Sequence, residues 1–210
     1  MGIKVLFVDD HSNEENYEIL KNIDSAETVS NVFDRGKGSA LKFGYIYSLI
    51  KYNLKPNDKI VIIDGDGQID PKELDTFFRI MELYDAHAVI GNKRHLFSTT
   101  MYGTVRRIVS KTYNAINRLL FGFDYRDTQC GIKVFKKKVL DDIISKVNVK
   151  RYAFDLELIV ALRANSYRIA DAPVTIRTQQ NKGSVSVTTI FQTFVDTMKI
   201  YGNMKKGRYL

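Results

Sequence analysis

Cysteine occurs once, at Cys130, and proline only three times in 210 residues. A single thiol excludes a disulfide framework and a thiolate metal cage, and it fits a reducing compartment. Three prolines and 13 glycines are too few for a fibrous or disordered chain. Long hydrophobic runs are missing too: stretches such as Ile60 to Ile63 fall far short of the ~20 residues that span a bilayer. No charged start followed by an apolar block marks a signal peptide. What is present is the composition of an ordinary globular protein, 44% hydrophobic and 27% charged, in a length that suits one domain.

Acid is missing from one long window. Between Ala86 and Phe123 there is no Asp or Glu, yet Lys93, Arg94, Arg106, Arg107, Lys111 and Arg118 all fall there. The net charge of +8 therefore hides an asymmetry: up to Asp85 the chain has 10 basic and 16 acidic residues, and beyond it 22 and 8. Such a split suits a carboxylate site that can hold a metal beside a basic surface that faces an anion. Nucleic acid, a phosphorylated substrate and an anionic membrane are the candidate anions. Interleaved base-stacking aromatics and a nucleic-acid motif are absent, which argues against the first.

Strand-like and helix-like segments alternate. Lys4–Val8 reads as a strand ending in Asp9-Asp10, and a helix follows from Asn13 to Lys21, capped by Ser12 or Asn13. Val29–Phe33 is a second short strand, and a helix opens at Gly36-Lys-Gly-Ser39. Lys59–Ile63 is an unbroken apolar run that reads as a buried strand, stopped by Asp64-Gly-Asp-Gly, with Pro71 placed to start a helix. Ala88–Ile90, Gly131–Phe135 and Tyr167–Ile176 are further strands. Helices are expected from about Thr104 to Leu120, Val139 to Ser145, Asp155 to Asn165 and Ile190 to Met204. This alternation predicts an α/β fold with a mainly parallel sheet.

In such sheets ligands bind beyond the carboxyl ends of the strands. Asp9-Asp10 and Asp64-Gly-Asp66 both lie at such ends, so they are expected to share one crevice. Like charges held together raise one another's pKa, and a divalent cation removes that cost. Mg²⁺ or Mn²⁺ suits oxygen ligands and is commonly completed by substrate phosphate. Asp64 and Asp66 project from one turn, and Gln68 can add a neutral oxygen. Turn chemistry alone is the alternative explanation of Asp-Gly-Asp-Gly. An EF-hand loop is excluded because Ile69 stands where that loop needs glycine. Gly36-Lys37-Gly38-Ser39 lacks the leading glycine of a phosphate loop, although a helix N-terminus there could still face phosphate. Lys4 to His11 also looks like the start of a receiver-type signalling domain, which would leave the basic second half unexplained.

Taken together, Val8-Asp-Asp-His-Ser12, Arg35-Gly-Lys-Gly-Ser-Ala-Leu-Lys-Phe-Gly44, Asp64-Gly-Asp-Gly-Gln68, Gly91-Asn-Lys-Arg94, Asp127-Thr-Gln-Cys-Gly-Ile-Lys133 and Phe154-Asp-Leu-Glu157 resemble a known family. So do Tyr167-Arg-Ile-Ala-Asp-Ala-Pro-Val174 and Gly183-Ser-Val185. The family is the inverting glycosyltransferases of family 2, in particular the polyprenyl-phosphate (dolichyl-phosphate) glucosyl- or mannosyltransferases. The resemblance implies a GT-A, Rossmann-like α/β domain over residues 1–188, its mainly parallel sheet flanked by helices. It implies a nucleotide sugar, a UDP- or GDP-hexose, held by Asp9, Asp10, Lys37 and Asp64. Mg²⁺ or Mn²⁺ would sit on Asp64, Asp66 and Gln68. Arg94, Arg106, Ser110 and Lys133 would grip the phosphate of a polyprenyl lipid, and Asp66, Arg94 and Asp127 would carry the catalytic step, Asp127 either on the acceptor side or by orienting Arg94 or Lys133. Arg106 and Ser110 lie four apart on one helix face, as a shared anion site requires; a solvated helix surface is the alternative there.

A lipid acceptor would also explain residues 189–210. Phe191, Phe194, Val195 and Met198 share a helical face and Lys205, Lys206 and Arg208 follow, the pattern of an interfacial helix with a basic end. The same face could instead pack on the core. The expected location is the cytoplasmic face of a membrane, peripherally bound, with a second copy or a membrane protein as further partner. The family's opening βα unit, of about 30–40 residues, has no counterpart ahead of Val8-Asp-Asp. An inactive relative that only binds nucleotide or membrane is the other reading of such a chain.

Overall fold

A computed structural model of the chain describes residues 3–99, 104–122, 127–177 and 187–210, without the side chains of 104–110 and 187. In chain order the elements are β1 (Leu6–Asp9), α1 (Glu14–Lys21), β2 (Glu27–Ser30), α2 (Lys37–Lys51), β3 (Lys59–Ile63) and α3 (Leu74–Leu83). Then come β4 (Ala88–Asn92), α4 (Thr104–Phe121), β5 (Ile132–Lys136), α5 (Lys137–Ile144), α6 (Phe154–Ala164), β6 (Ile169–Pro173) and α7 (Val187–Lys205). Local chemistry sets the ends. Asn13 caps α1 by accepting the Asn16 N–H at 3.0 Å. Gly36 opens α2 with φ of +88°, in the left-handed region that favours glycine. Asp70 caps a single 3₁₀ turn, Pro71–Glu73, that leads into α3.

The strands form two sheets. β1 and β2 pair in parallel, and β3-β5-β4-β6 form the larger sheet. Within it β3, β4 and β6 run the same way, but β5 lies between β3 and β4 and runs against both. Two of its three pairings are therefore antiparallel, where the sequence pattern predicts a mainly parallel sheet. Side-chain periodicity reports which face a residue takes and not the direction of the neighbouring strand. β3 also departs from expectation: it is an edge strand, with Ile63 still 36% exposed.

Helices cover both faces of the larger sheet. Ile60, Ile62, Ala88, Ile90 and Phe135 point to one face and meet α2, α4, α5, α6 and α7. Val61, Val89, Ile132 and Val134 point to the other and meet Phe77 and Met81 of α3. α6 is buried over nearly its whole length, from Phe154 to Leu162. The last helix divides its surface: Ile200 joins the core, while Phe191 is 67% and Phe194 45% exposed.

The C-terminus is fastened by one buried carboxylate. Glu157 of α6 accepts the backbone N–H groups of Asn148 and Val149 at 2.8 and 2.7 Å on one oxygen, and the Tyr209 hydroxyl at 2.7 Å on the other. Tyr209→Phe leaves that second oxygen without its donor, so chemical unfolding of the variant should show a loss of about 1–3 kcal/mol.

Candidate active site

The candidate residues gather at one end of the larger sheet. β3 and β4 end there, and because β5 runs the other way its beginning arrives at the same rim: Ile63 faces Ile132 across the ladder. Asp64, leaving β3, donates its backbone N–H to the Gly131 carbonyl at 2.8 Å. A Cβ on Gly131 would come within 2.4 Å of Asp64 Oδ2, so glycine keeps space for that carboxylate. Asp66 is exposed at the tip of the turn, where it accepts the Gln68 N–H at 3.0 Å.

The Asp9-Asp10 pair reaches the same rim through α2. Asp10 accepts the backbone N–H of Gly36 at 2.6 Å and the side-chain amide of Asn31 at 2.8 Å. The next residue, Lys37, extends its ammonium to Asp64 Oδ1 at 2.8 Å. Asp9 is expected among the nucleotide ligands, but it is buried and turned into the protein. It accepts the Ser30 hydroxyl at 2.7 Å and the backbone N–H groups of His11 and Ser12. Burial by itself would raise its pKa; the bonds from Ser12, Ser30 and His11 outweigh burial and hold the carboxyl below its ordinary range. The N-terminus of α2 is likewise closed to phosphate. Gly38 N–H gives a 2.7 Å bond to the Lys150 carbonyl and Ser39 N–H shares the same acceptor.

Beneath Lys37 lies a row of alternating charge. Its ammonium also meets Asp155 Oδ2 at 3.1 Å, and Asp155 Oδ1 meets Lys133 at 2.8 Å. Lys133 further donates to the Cys130 carbonyl at 2.6 Å. The side chains of Lys133 and Asp155 are only 1% and 4% exposed. Burial would raise the pKa of Asp155, but the two ammonium groups prevail and keep it low. For Lys37, burial opposes the charge, yet Asp155 and Asp64 prevail and raise its pKa. Lys133, expected beside the acceptor phosphate, lies inside the protein here: on β5 it points with Phe135 toward the face that α6 covers, where it meets Asp155.

The other side of the rim is built on β4. Asn92 donates to Asp171 at 2.6 Å and accepts the backbone N–H of Arg94 at 2.9 Å. Asp127, expected to act in catalysis, is buried and accepts the backbone N–H groups of Lys93 and Gln129 at 3.2 and 3.1 Å. It therefore holds the Lys93-Arg94 loop in place. Cys130 packs under Gly91, where a Cβ would fall 2.5 Å from its sulfur; burial, and after it Asp127, push the thiol up to about 11. The stretch Val174–Arg177 ties the two sides together. Ile176 N–H bonds the Thr99 carbonyl at 2.9 Å and Arg177 N–H bonds the Gln68 carbonyl at 2.8 Å. Arg177 also pairs with Asp70. Arg106 and Ser110 lie on α4 with side chains outside the described residues, as does the whole of Gly183-Ser-Val185.

A family model described as "Glycosyl transferase family 2" matches residues 1–144, over two thirds of the chain. The chain belongs to glycosyl transferase family 2. Among its relatives, a dolichyl-phosphate β-glucosyltransferase of Dictyostelium discoideum is 26% identical over 81% of this chain and 54% of its own. A polyprenol monophosphomannose synthase of Mycolicibacterium smegmatis is 28% identical over 82% of this chain and 66% of its own. The chain thus spans between half and two thirds of those relatives. Its fold matches glucosyl-3-phosphoglycerate synthase of Mycobacterium tuberculosis, crystallised with Mn²⁺, UDP and phosphoglyceric acid. That match has a TM-score of 0.70 at 18% identity and covers 95% of this chain and 68% of the other. The fold is the GT-A fold of such glycosyltransferases.

The rim fits a divalent metal. Asp64 already attracts a cation, the Lys37 ammonium. The donors are oxygens only, which suits Mg²⁺ or Mn²⁺ with positions left for phosphate. Among the described residues no three carboxylate, imidazole or thiol groups converge into a metal cage of their own. Asp155 is the functional residue that sequence reasoning left without a role. Its signal was an Asp in the first turn of a mainly apolar helix, matched by a Lys flanked by Ile132 and Val134 in a strand.

Asp155→Asn strands the buried Lys133 ammonium, so urea unfolding at pH 7 should show a loss of about 3–5 kcal/mol. Adding Lys133→Met should recover part of it. Because the folded pKa of Asp155 is depressed, the wild-type advantage is complete above the unfolded carboxyl pKa of about 3.9 and shrinks as pH falls below it.

Proposed function

We propose that this chain transfers a hexose, glucose or mannose, from a UDP- or GDP-sugar to the phosphate of a polyprenyl lipid, with inversion at the anomeric carbon. One observation carries the reading: the Asp64–Asp66 turn, joined to Asp10 through Gly36 and Lys37, stands on the same rim as the basic Lys93-Arg94 loop. The first is a place for a nucleoside diphosphate and the second for an acceptor anion. The names carried by the two relatives, one a glucosyl- and one a mannosyl-transferring protein acting on a lipid phosphate, support the same choice.

Asp10 and the Gly36 loop face the nucleoside end of the donor, and Lys37 lies beside its diphosphate. Asp64, Asp66 and Gln68 would hold Mg²⁺ or Mn²⁺, which neutralises the charge on the departing nucleoside diphosphate. Arg94, with Arg106 and Ser110 of α4, draws in the acceptor phosphate. That phosphate is already ionised near neutral pH, so no strong general base is needed. The residues act by placing the acceptor oxygen in line with the anomeric carbon and by offsetting charge. Asp127 contributes by fixing the loop that presents Arg94.

Incubated with a radiolabelled nucleotide hexose, Mn²⁺ and a polyprenyl phosphate, the chain should release nucleoside diphosphate and label the lipid. Asp66→Ala should lower turnover by about 100-fold or more. Donor left intact by the wild-type chain, or turnover unchanged in Asp66→Ala, overturns the assignment.

The acceptor implies a membrane surface. No helix among the described residues is long and apolar enough to cross one. α7 instead leaves Phe191, Phe194 and Met198 exposed on a helix that ends at the exposed Lys205, with the exposed Lys206 and Arg208 just beyond it. Each basic residue near an anionic headgroup layer is worth about 1 kcal/mol. Vesicles containing phosphatidylglycerol should therefore sediment the chain at low salt. Phe191→Ser/Phe194→Ser should reduce the bound fraction several-fold with the melting temperature unchanged, since both side chains already face solvent.

A further inference from the structure

The row of alternating charge has an asymmetry that bears on how the site fills, given the donor reading above. Asp155 is neutralised from two sides, by Lys133 at 2.8 Å and Lys37 at 3.1 Å. Asp64, at the outer end, has one ion-pair partner among the described residues, Lys37 at 2.8 Å. Lys37 is fixed at its base, because the preceding Gly36 N–H is bonded to Asp10 at 2.6 Å. Its side chain is 27% exposed, whereas those of Asp155 and Lys133 are sealed in. Lys37 can therefore let go of Asp64 and keep Asp155, but the reverse would leave it facing the rim with its buried partner behind it.

A divalent cation that approaches Asp64 meets an ammonium already seated on Oδ1, and the two repel. A diphosphate that arrives with the cation gives that ammonium another anion. We propose that Lys37 is an exchangeable counter-ion, which makes metal binding at Asp64 conditional on a diphosphate. It pairs with Asp64, as the 2.8 Å contact shows, and swings to a diphosphate oxygen when the metal and the nucleotide enter together. Asp155 is the pivot, and Lys133 keeps the pivot charged and in place whichever partner Lys37 holds. Metal without nucleotide then binds weakly, and the site avoids being loaded with a cation that has no donor. Lys37 is a donor-binding residue in this scheme and Lys133 a positioning one, and the coupling they create is reciprocal: diphosphate tightens metal as much as metal tightens diphosphate.

The test follows free Mn²⁺ by electron paramagnetic resonance, titrating the full chain without nucleotide and with saturating UDP, with GDP run in parallel. Wild type should bind Mn²⁺ alone weakly and gain about tenfold or more from the diphosphate. Lys37→Met should bind Mn²⁺ alone several-fold more tightly than wild type and gain less from the diphosphate. Lys37→Arg, which keeps the charge, should behave as wild type does, and so separates the counter-ion effect from any damage to the fold. Lys37→Met binding Mn²⁺ alone no better than wild type, or Lys37→Arg tightening as much as Lys37→Met, overturns the proposal. If the chain transfers hexose while either of those results holds, the counter-ion role fails and the assigned reaction stands. If wild type binds no Mn²⁺ even with UDP or GDP, the donor site and the counter-ion role fall together.

Discussion

The ion pair between Lys133 and Asp155 is the contact on which the rim rests. Two opposite charges inside an apolar core are tolerable only when they satisfy each other and their remaining hydrogen-bonding capacity. Here the Cys130 carbonyl and Lys37 do the rest. The pair fixes α6 against β5, and through Lys37 it fixes the start of α2 against the end of β3. Four segments far apart in sequence are held at one point, and the outermost member of the row is Asp64, in the turn after β3.

The reversed direction of β5 is what lets a small sheet crowd so much chemistry onto one edge. Were β5 parallel to its neighbours, Gly131 and Cys130 would stand at the far end, and Asp127 could not reach the backbone of Lys93. With the strand turned round, the residues that precede it and the residues that follow β3 and β4 share the rim. Gly131 shows how close the fit is, since even a methyl group there would strike Asp64.

Much of this was legible beforehand. The limits of β3 were read to the residue, because an apolar run bounded by Lys-Pro-Asn-Asp and Asp-Gly-Asp-Gly leaves little choice. That Asp10 and the Asp64–Asp66 turn stand at one rim followed from each lying at the end of a strand, and Lys37 came only with the family resemblance. The direction of β5, the edge position of β3 and the inward turn of Asp9 were not legible, since all three depend on which segments become neighbours. The burial of Lys133 was not legible either. A lysine between Ile132 and Val134 looks like an anion ligand until Asp155 is seen across from it. On α7 the face of Phe191, Phe194 and Met198 stays exposed while Ile200 packs into the core, so core packing does not account for that face.

Val174–Arg177 is bonded on one side to Thr99, beyond the loop after β4, and on the other to Gln68, in the turn after β3. It behaves as a splint across the mouth of the site. Hinges on either flank would have to bend this short stretch or break its bonds, so the β3 and β4 sides of the rim keep a fixed separation instead of opening and closing independently. Length changes should be least tolerated here: adding or removing one residue would exchange the inward Val174 and Ile176 for the outward Thr175 and Arg177.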